Sequence, residues 1–190
     1  MEAGDLSIER EKRLFRNEVA LRKKQYTEEM IASKSELICK HLIGSSEFEH
    51  ADRIAAYFSL PDEVQTLKMI EEWQDKKNIY LPVIEGNEMF FRKYNGANRL
   101  KTGTFGIKEP DEDSEKAAIS DMDLFIVPGM AFDRNFNRLG RGKGFYDKIL
   151  NNVRKPVIGL SFGFQLFDNI PANQHDIKMT EMITEDGKFL

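Results

Sequence analysis

The chain has 190 residues, of which 41% are hydrophobic, and this composition predicts one domain over residues 1–190 with a sizeable core. Its formal net charge of −4 argues against a general nucleic-acid-binding or membrane-surface protein, and no apolar run approaches the roughly 20 residues that span a bilayer. The single cysteine, Cys39, excludes an intrachain disulfide and a multi-thiolate metal site. With no apolar signal-peptide core at the N-terminus, we expect a cytoplasmic protein without a nucleic-acid or membrane partner.

The first predicted element is a long amphipathic helix. From Ser7 to about Ala32, apolar residues recur at helical intervals, and Ser7 can serve as the N-cap. Its polar face is rich in lysine and arginine, and such cations usually lie on a solvated surface. Lys12 and Arg16 are four residues apart, so they share one helix face and could meet the same anion.

A second helix is predicted over about 34–42, and the apolar stretch 53–59 predicts a buried strand. The chain then turns into a helix predicted over 63–77. Glu63 would therefore lie where a strand ends and a helix begins, which is where α/β sheets bind ligands. A first-turn glutamate that complements the helix dipole is the alternative interpretation.

The rest of the chain also reads as strands and helices in alternation. Residues 79–83 and 88–94 predict two strands around a turn at Gly86, and residues 156–161 and 177–183 predict two more strands. Strands and helices that alternate along a chain are typical of an α/β fold. We expect a single-domain three-layer sandwich with a mainly parallel sheet.

The most informative segment, residues 127–149, reads VPGMAFDRNFNRLGRGKGFYDKI. It begins at the end of an apolar strand, 124–127, and a helical pattern follows Gly144. Between them, glycines at 140, 142 and 144 alternate with Arg141 and Lys143, so the backbone can approach a ligand closely between two cations. A strand, a glycine-rich loop and a helix N-terminus together favour a polyphosphate ligand.

Two known phosphate loops do not match this segment. A Walker A loop would need glycine in place of Asn137 and serine or threonine in place of Gly144. A Rossmann fingerprint would need its third glycine in place of Phe145. A flexible surface loop remains the alternative to a binding site. Against it, the cations cluster within a few residues, and Asp133 and Asp147 bracket the loop with carboxylates suited to a hard cation.

The segment resembles the signature of the 5-formyltetrahydrofolate cyclo-ligase family, with PGMAFD at 128–133 and RLGRGKGFYD at 138–147. Phe145, where tyrosine is common, and Asn137 are the visible deviations. The resemblance implies ATP- and Mg²⁺-dependent cyclisation of 5-formyltetrahydrofolate to 5,10-methenyltetrahydrofolate through a phosphorylated formyl oxygen, with release of ADP and phosphate. The partner would be this small molecule, with or without a polyglutamate tail, and the protein a monomer or homodimer.

The resemblance also implies roles for individual residues. The catalytic residues would be Arg141, Lys143 and Tyr146. ATP would bind Lys12, Arg13, Arg16, Arg138, Leu139, Gly140, Arg141, Gly142, Lys143, Gly144, Phe145 and Tyr146. The folate would bind Phe58, Glu63, Arg141, Gly142, Lys143, Gly144 and Phe145, with Met89, Phe90, Phe91 and Tyr94 as candidate wall residues. Asp147 would bind Mg²⁺.

The chain departs from the family pattern near its end. Some relatives carry a second metal-binding aspartate where this chain has Thr180, so either Asp147 and water suffice or Glu181 substitutes. Neighbouring strand residues face opposite sides, which argues against Glu181. His175 is a candidate acid, base or folate-tail contact, or a structural histidine.

Two other functions remain open from the sequence. A sugar-phosphate isomerase or acyl-transfer relative could share this α/β fold, since fold alone does not fix function. A nucleotide- or RNA-binding regulatory module could use the basic loop and the first helix. The net negative charge and the lack of a patterned aromatic and basic face argue against that module.

Overall fold

The computed structural model describes residues 3–189, with side chains from residue 7 onward except at position 105. In that part of the chain the α-helices are α1 (Ala3–Lys23), α2 (Glu28–Ile43), α3 (Ser46–His50), α4 (Leu67–Trp73) and α5 (Phe145–Leu150). Short 3-10 helices occupy Ala97–Arg99, Thr104–Gly106, Ile119–Asp121 and Gly163–Gln165. None of the described helices combines the length and the apolar character that crossing a bilayer requires.

The strands are β1 (Arg53–Ala55), β2 (Asn78–Glu85), β3 (Glu88–Lys93), β4 (Leu100–Thr102), β5 (Lys108–Pro110), β6 (Lys116–Ala117), β7 (Leu124–Pro128), β8 (Ala131–Asp133), β9 (Arg138–Leu139), β10 (Val157–Leu160), β11 (Leu166–Phe167), β12 (Glu181–Thr184) and β13 (Gly187–Phe189). The main sheet has eight strands in the order β13-β12-β10-β7-β1-β2-β3-β6. Its centre, from β12 to β2, is parallel, whereas β13, β3 and β6 pair antiparallel. The predicted α/β fold with a mainly parallel sheet is confirmed.

The core lies on both faces of this sheet, because successive strand residues point to opposite sides. On one face, Ile54 and Ile126 pack with buried side chains of α2, α3 and α4. On the other face, Phe125 and Val127 pack with Leu150 of α5 and with the small sheet β11-β8-β9. Helices therefore cover the sheet from both sides, in three layers.

The prediction of a single helix over 7–32 is wrong. The chain leaves α1 after Lys23 and starts α2 at Glu28, with the Thr27 side chain accepting a capping bond from a backbone N–H at 3.3 Å. Tyr26, between the two helices, stacks on Phe164 with ring centroids 3.9 Å apart. Ser7 lies inside α1 and does not cap it. Tertiary packing and a competing cap therefore override the continuous helical pattern.

The predicted strand and helix that flank Glu63 are both shorter than expected. Between β1 and α4 the chain folds back on itself, because the Tyr57 hydroxyl donates to the Val64 carbonyl at 3.0 Å and the Thr66 hydroxyl donates to the Tyr57 carbonyl at 2.6 Å. Glu63 consequently lies in this connection and not in the first turn of a helix. Within this connection its Oε2 accepts a bond from the Leu60 N–H at 3.0 Å.

The turn between β2 and β3 is as predicted, but the last strand is not. The segment predicted as a strand over 177–183 bonds to β10 only from Thr180, whose N–H donates to the Val157 carbonyl at 2.8 Å. Before that point the Ile177 N–H donates to the Asp147 carboxylate at 3.3 Å, and the Met179 N–H donates to the Phe136 carbonyl at 2.9 Å. These bonds attach the segment to α5 and to the β8–β9 connection.

Candidate functional site

A cavity of about 250 Å³ opens at the carboxyl ends of the central parallel strands. The end of β7 contributes Pro128, the chain after β1 contributes Phe58, and β2 contributes Ile84. The predicted site residues that line it are Lys12, Arg16, Phe58, Glu63 and all of residues 138–147. The cavity lies at the edge of the sheet where open α/β folds bind ligands.

The glycine-rich loop runs from β9 into α5. Gly142 and Gly144 have φ of 95° and 67°, in the left-handed region that favours glycine. A Cβ at Gly140 would lie 2.8 Å from Nη1 of Arg138, so the Arg138 guanidinium would have to shift. Helix α5 begins at Phe145, directly after the loop, as the sequence predicts. The loop backbone thus faces the cavity with no Cβ at these alternate positions.

Arg138 is buried beneath this loop, with 6% of its surface exposed. Its Nη2 donates to Oδ1 of Asp147 at 3.1 Å, and its guanidinium lies 5.4 Å from the centre of the Tyr146 ring. Its Nε is also buried and has no hydrogen-bond partner among the described residues. A buried donor without a partner is costly, so this side of the guanidinium is suited to an incoming acceptor.

Arg141 projects from the loop toward the connection that follows β1. Its Nη2 donates to Oδ1 of Asp62 at 2.6 Å, and its Nε donates to Oε1 of Glu63 at 3.1 Å. Burial alone would lower the pKa of Arg141, but the Glu63 and Asp62 carboxylates outweigh it and raise that pKa. Burial alone would likewise raise the pKa of Asp62, yet Lys23 and Arg141 hold it below its ordinary value. The guanidinium is charged and fixed at the mouth of the cavity.

Helix α1 brings two cations to the cavity, and a third pairs with Asp62, the partner of Arg141. Lys12 binds both carboxylate oxygens of Asp176, and Nε of Arg16 donates to the Gly140 carbonyl at 2.8 Å. Lys23 donates to the carbonyl and the carboxylate of Asp62, at 2.8 and 3.0 Å. The helix is therefore attached to the glycine-rich loop through polar contacts.

Arg13 and His175 are among the predicted residues that do not line the cavity. Arg13 is exposed on α1, one residue away from the buried Lys12, and does not line the cavity. His175 is exposed and does not line it either, so it does not fit an acid or base role there. Their sequence neighbours Lys12 and Asp176 do line the cavity, because adjacent residues of a helix or a turn point in different directions.

Part of the cavity lining is apolar. Met89 lines the cavity, together with Leu60, Pro82, Ile84 and Ile107. The other three candidate wall residues do not line it: Phe91 and Tyr94 are buried in the two main cores, and Phe90 lies under the cations of Arg92 and Lys116. A cavity lined by both apolar residues and a cationic loop can hold a flat ring system next to a polyanion.

Tyr146, at the start of α5, lines the cavity beside Arg138. Burial, with a smaller effect of the Glu63 carboxylate, raises the pKa of the Tyr146 hydroxyl. The phenol therefore keeps its proton over the physiological range. It is suited to donate a hydrogen bond to a negatively charged or developing oxygen and not to act as a phenolate.

The metal prediction rests on Asp147 alone. Among the described residues no group of three or more His, Cys, Asp or Glu side chains could hold a metal ion. Asp133 is fully buried and accepts bonds from backbone N–H groups, including that of Asn135 at 2.9 Å, so it fixes the β8–β9 connection. Glu181 pairs with Lys188 and does not line the cavity, which excludes it as a substitute ligand there.

Sequence reasoning missed the acidic partners of the cavity. Asp62 and Asp176 pair with cavity cations, and each lies in a loop whose position depends on the fold. Lys23, one of the cations of the first helix, is buried and pairs with Asp62. A charged residue directly after Pro61 was the one available signal, since such turns end strands at the ligand-binding edge.

Comparisons with known proteins agree on one family. The sequence profile of the 5-formyltetrahydrofolate cyclo-ligase family matches residues 8–185. The chain is 31% identical over 154 residues to the 5-formyltetrahydrofolate cyclo-ligase of Haemophilus influenzae, covering 77% of this chain and 82% of that protein. The mouse cyclo-ligase is 29% identical over 197 residues, covering 96% and 97%. The NMR structure of Aquifex aeolicus 5,10-methenyltetrahydrofolate synthetase superposes with a TM-score of 0.85 at 32% identity, over 93% of this chain and 91% of that one.

Proposed function

Because the chain belongs to the 5-formyltetrahydrofolate cyclo-ligase family, we propose that its cavity binds ATP and 5-formyltetrahydrofolate side by side and couples ATP cleavage to ring closure. Family membership and the relatives support the cyclo-ligase activity itself. The observation that carries the ATP-dependent mechanism is the convergence of Lys12, Arg16, Arg138, Arg141 and the glycine-rich loop on one cavity that apolar residues also line.

The chemistry needs a leaving group on the formyl carbon. The γ-phosphoryl group of ATP passes to the N5-formyl oxygen, which leaves ADP. N10 then attacks the activated carbon and loses its proton, and the C–O bond breaks as phosphate departs to give the 5,10-methenyl product. Such phosphoryl transfer depends on positioning and on stabilising charge. No protein nucleophile is required, which agrees with a cavity lined by cations and carboxylates.

Each part of the cavity has a role in this scheme. Arg138 and Arg141 would bind the phosphates, with Lys143, and the amides around Gly142 and Gly144 would add neutral donors. Tyr146 would donate its hydroxyl hydrogen to the transferring group or to the formyl oxygen. The apolar wall would hold the pterin ring, with Phe58 and Glu63 at its edge. Arg13, which is exposed outside the cavity, has no direct role in this proposal.

Asp147 fits the predicted magnesium site as a single carboxylate. Its Oδ1 accepts bonds from Arg138 and from the Ile177 N–H, and the residue lines the cavity next to the loop. Mg²⁺ is commonly held by one or two carboxylates together with phosphates and water, so one aspartate suits an ion that arrives with the nucleotide. When bound, the ion would neutralise phosphate charge; Asp147 would hold it and Arg138 would orient Asp147.

The test is the absorbance of the methenyl product. Purified protein is mixed with 5-formyltetrahydrofolate, ATP and Mg²⁺, and each component is withheld in turn. We expect a rise that needs all three, with stoichiometric ADP and phosphate. A rise without ATP would refute the phosphorylated intermediate. Phosphosugar turnover without ATP, or salt-sensitive RNA binding without turnover, would instead support the isomerase or the binding module.

A matched pair of variants links the reaction to the cavity. Arg141→Ala removes a cavity guanidinium that is paired with Asp62 and Glu63. Arg134→Ala removes an exposed guanidinium that is paired with Asp168 and does not line the cavity. We expect loss of turnover only in Arg141→Ala. Equal activity of the two variants would mean that the reaction takes place elsewhere.

A further inference from the structure

A second cavity lies at the edge of the main sheet opposite the candidate site. It has a volume of about 410 Å³ and lies at the amino ends of the parallel strands β10 and β12, whose first residues, Val157 and Glu181, both line it. This amino-edge cavity is lined also by Glu47, Arg154 and Lys178, and among the described residues none lines both cavities. Its volume is within the range of small-molecule sites. It therefore offers a separate place for a ligand.

Glu181 supplies a buried acceptor to this cavity. Only 5% of its surface is exposed, and its Oε1 is buried without a hydrogen-bond partner among the described residues. Burial raises the pKa of Glu181, although Nζ of Lys188 pairs with Oε2 and opposes this effect. A buried acceptor without a donor is costly, so the Oε1 side of the carboxylate is suited to an N–H group of a ligand.

The charge around Glu181 is not balanced by direct ion pairs. Both carboxylate oxygens of Glu47 lie 3.3 Å from Nζ of Lys188, the same ammonium group that pairs with Glu181. One ammonium group therefore serves two carboxylates, which leaves one negative charge in excess. A ligand with an ammonium group would balance it.

Two cations line the same cavity without a carboxylate partner. Arg154 and Lys178 are both exposed, and neither forms a salt bridge with a described residue. Lys155 lines the cavity too, but it pairs with Asp123 at 3.5 Å. Guanidinium and ammonium groups bind a carboxylate more strongly than neutral donors do. The two unpaired cations are therefore suited to a carboxylate of the ligand.

Apolar side chains complete the lining. Val153, Pro156 and Ile177 are partly exposed, whereas Leu150 and Val157 are buried. Val153 and Ile177 pack against the same core cluster as Leu150. An aliphatic group of a ligand would remove more of this apolar surface from water, which is favourable.

We propose that the amino-edge cavity binds an amino acid with an aliphatic side chain. Its carboxylate would bind Arg154 and Lys178, and its ammonium group would donate to Oε1 of Glu181. Its side chain would pack on Val153 and Ile177. A simple organic anion or a simple amine would satisfy only one of the two charged groups of the cavity. The inference does not depend on the proposed function, since the two cavities are lined by different residues.

Leucine and two analogues test this assignment. Backbone amide shifts of isotope-labelled protein are followed by NMR while L-leucine, 4-methylpentanoate or 3-methylbutylamine is added. The second compound lacks the ammonium group of leucine, and the third lacks its carboxylate. We expect L-leucine to shift amides of residues 153–157 and 177–181. Each analogue should bind about tenfold more weakly, the effect of losing one charge-assisted contact.

Two variants assign the contacts. Arg154→Ala should weaken leucine binding about tenfold and leave binding of 3-methylbutylamine unchanged, because that compound has no carboxylate. Glu181→Gln should weaken leucine binding by about the same factor and leave binding of 4-methylpentanoate unchanged. Arg134→Ala, which removes an exposed guanidinium that does not line this cavity, is the matched control and should bind leucine as the wild type does. If Glu181→Gln does not fold, Arg154→Ala and the analogues still decide.

Absence of leucine-induced shifts in these two segments would overturn the proposal. Equal binding of leucine and 4-methylpentanoate would also overturn it, because the cavity would then bind anions without using Glu181. Shifts confined to the glycine-rich loop and removed by an ATP analogue would overturn it too, since leucine would then occupy the candidate site. The cyclo-ligase assay is separate. Arg154→Ala should keep wild-type turnover, and inactive wild-type protein would overturn the proposed function while leaving this inference standing.

Discussion

Replacing Gly142 by alanine tests how the glycine-rich loop and α1 fit together. The φ of Gly142 is 95°, and the left-handed region costs a residue with a side chain about 1–2 kcal/mol. The added Cβ would lie 3.3 Å from Cζ and 3.4 Å from each Nη of Arg16, closer than ordinary van der Waals contact. The guanidinium must then move by a few tenths of an ångström. The substitution therefore combines backbone strain with displacement of a cavity cation.

We expect Gly142→Ala to lower the free energy of unfolding by about 1–2 kcal/mol and to raise the KM for ATP several-fold. The second effect follows because Nε of Arg16 donates to the Gly140 carbonyl at 2.8 Å, and a shifted guanidinium weakens this bond. Gly86→Ala is the control. It has φ of 60° in the β2–β3 turn, and no described atom lies within 4 Å of the added Cβ. It should lose similar stability at an unchanged KM.

Urea unfolding gives the stability change, and the absorbance of the methenyl product gives the KM. A Gly142→Ala protein with the stability loss of Gly86→Ala and a wild-type KM would refute the link between the loop and Arg16. A Gly142→Ala protein as stable as the wild type would refute the requirement for a positive φ. The two parts of the reasoning therefore stand or fall separately.

Three further predictions follow from the described contacts. Arg141→Ala and Lys143→Ala should each reduce turnover by about two orders of magnitude or more while circular dichroism and thermal unfolding show an intact fold, and near-normal activity would remove the loop from the mechanism. Lys23 and Arg141 lower the pKa of Asp62, so the ionised carboxylate should stabilise the fold fully at pH values well above its ordinary pKa of 3.8 and lose that effect as the pH falls below 3.8. Acid unfolding of Asp62→Asn and of the wild type measures this contribution. A stability difference between the two proteins that persists in strong acid would contradict the prediction. Burial raises the pKa of the Cys39 thiol to about 11, so an aromatic disulfide reagent at neutral pH should label this residue only after denaturation. Rapid labelling of the native protein would contradict this and show that α2 opens.

The signature segment was predictable because its evidence is local. The apolar run that becomes β7 ends at Pro128, and the spacing of glycines and cations after it is typical of a loop that approaches an anion. Such features depend on residues close together in sequence. The cavity-lining positions of 138–147 follow from them.

The acidic half of the site was not predictable in this way. Asp62 and Asp176 meet Arg141 and Lys12 across long stretches of chain, and no periodicity or motif records those pairings. The prediction of one helix over 7–32 was wrong for a related reason. The break between α1 and α2 depends on the Thr27 cap and on stacking between Tyr26 and Phe164, and the second contact exists only in the folded chain.

The placement of α1 implies that this helix can open while the rest of the protein stays folded. Among the described residues, neither of the two main core clusters contains a residue of α1. Its buried apolar contacts belong to a small separate cluster, in which Val19 packs with Leu139 and Ile170. Segments with few buried apolar contacts exchange their amide hydrogens through local opening events. Amide exchange in α1 should therefore be faster than in β7 or β10, and ligand occupancy of the cavity should slow it.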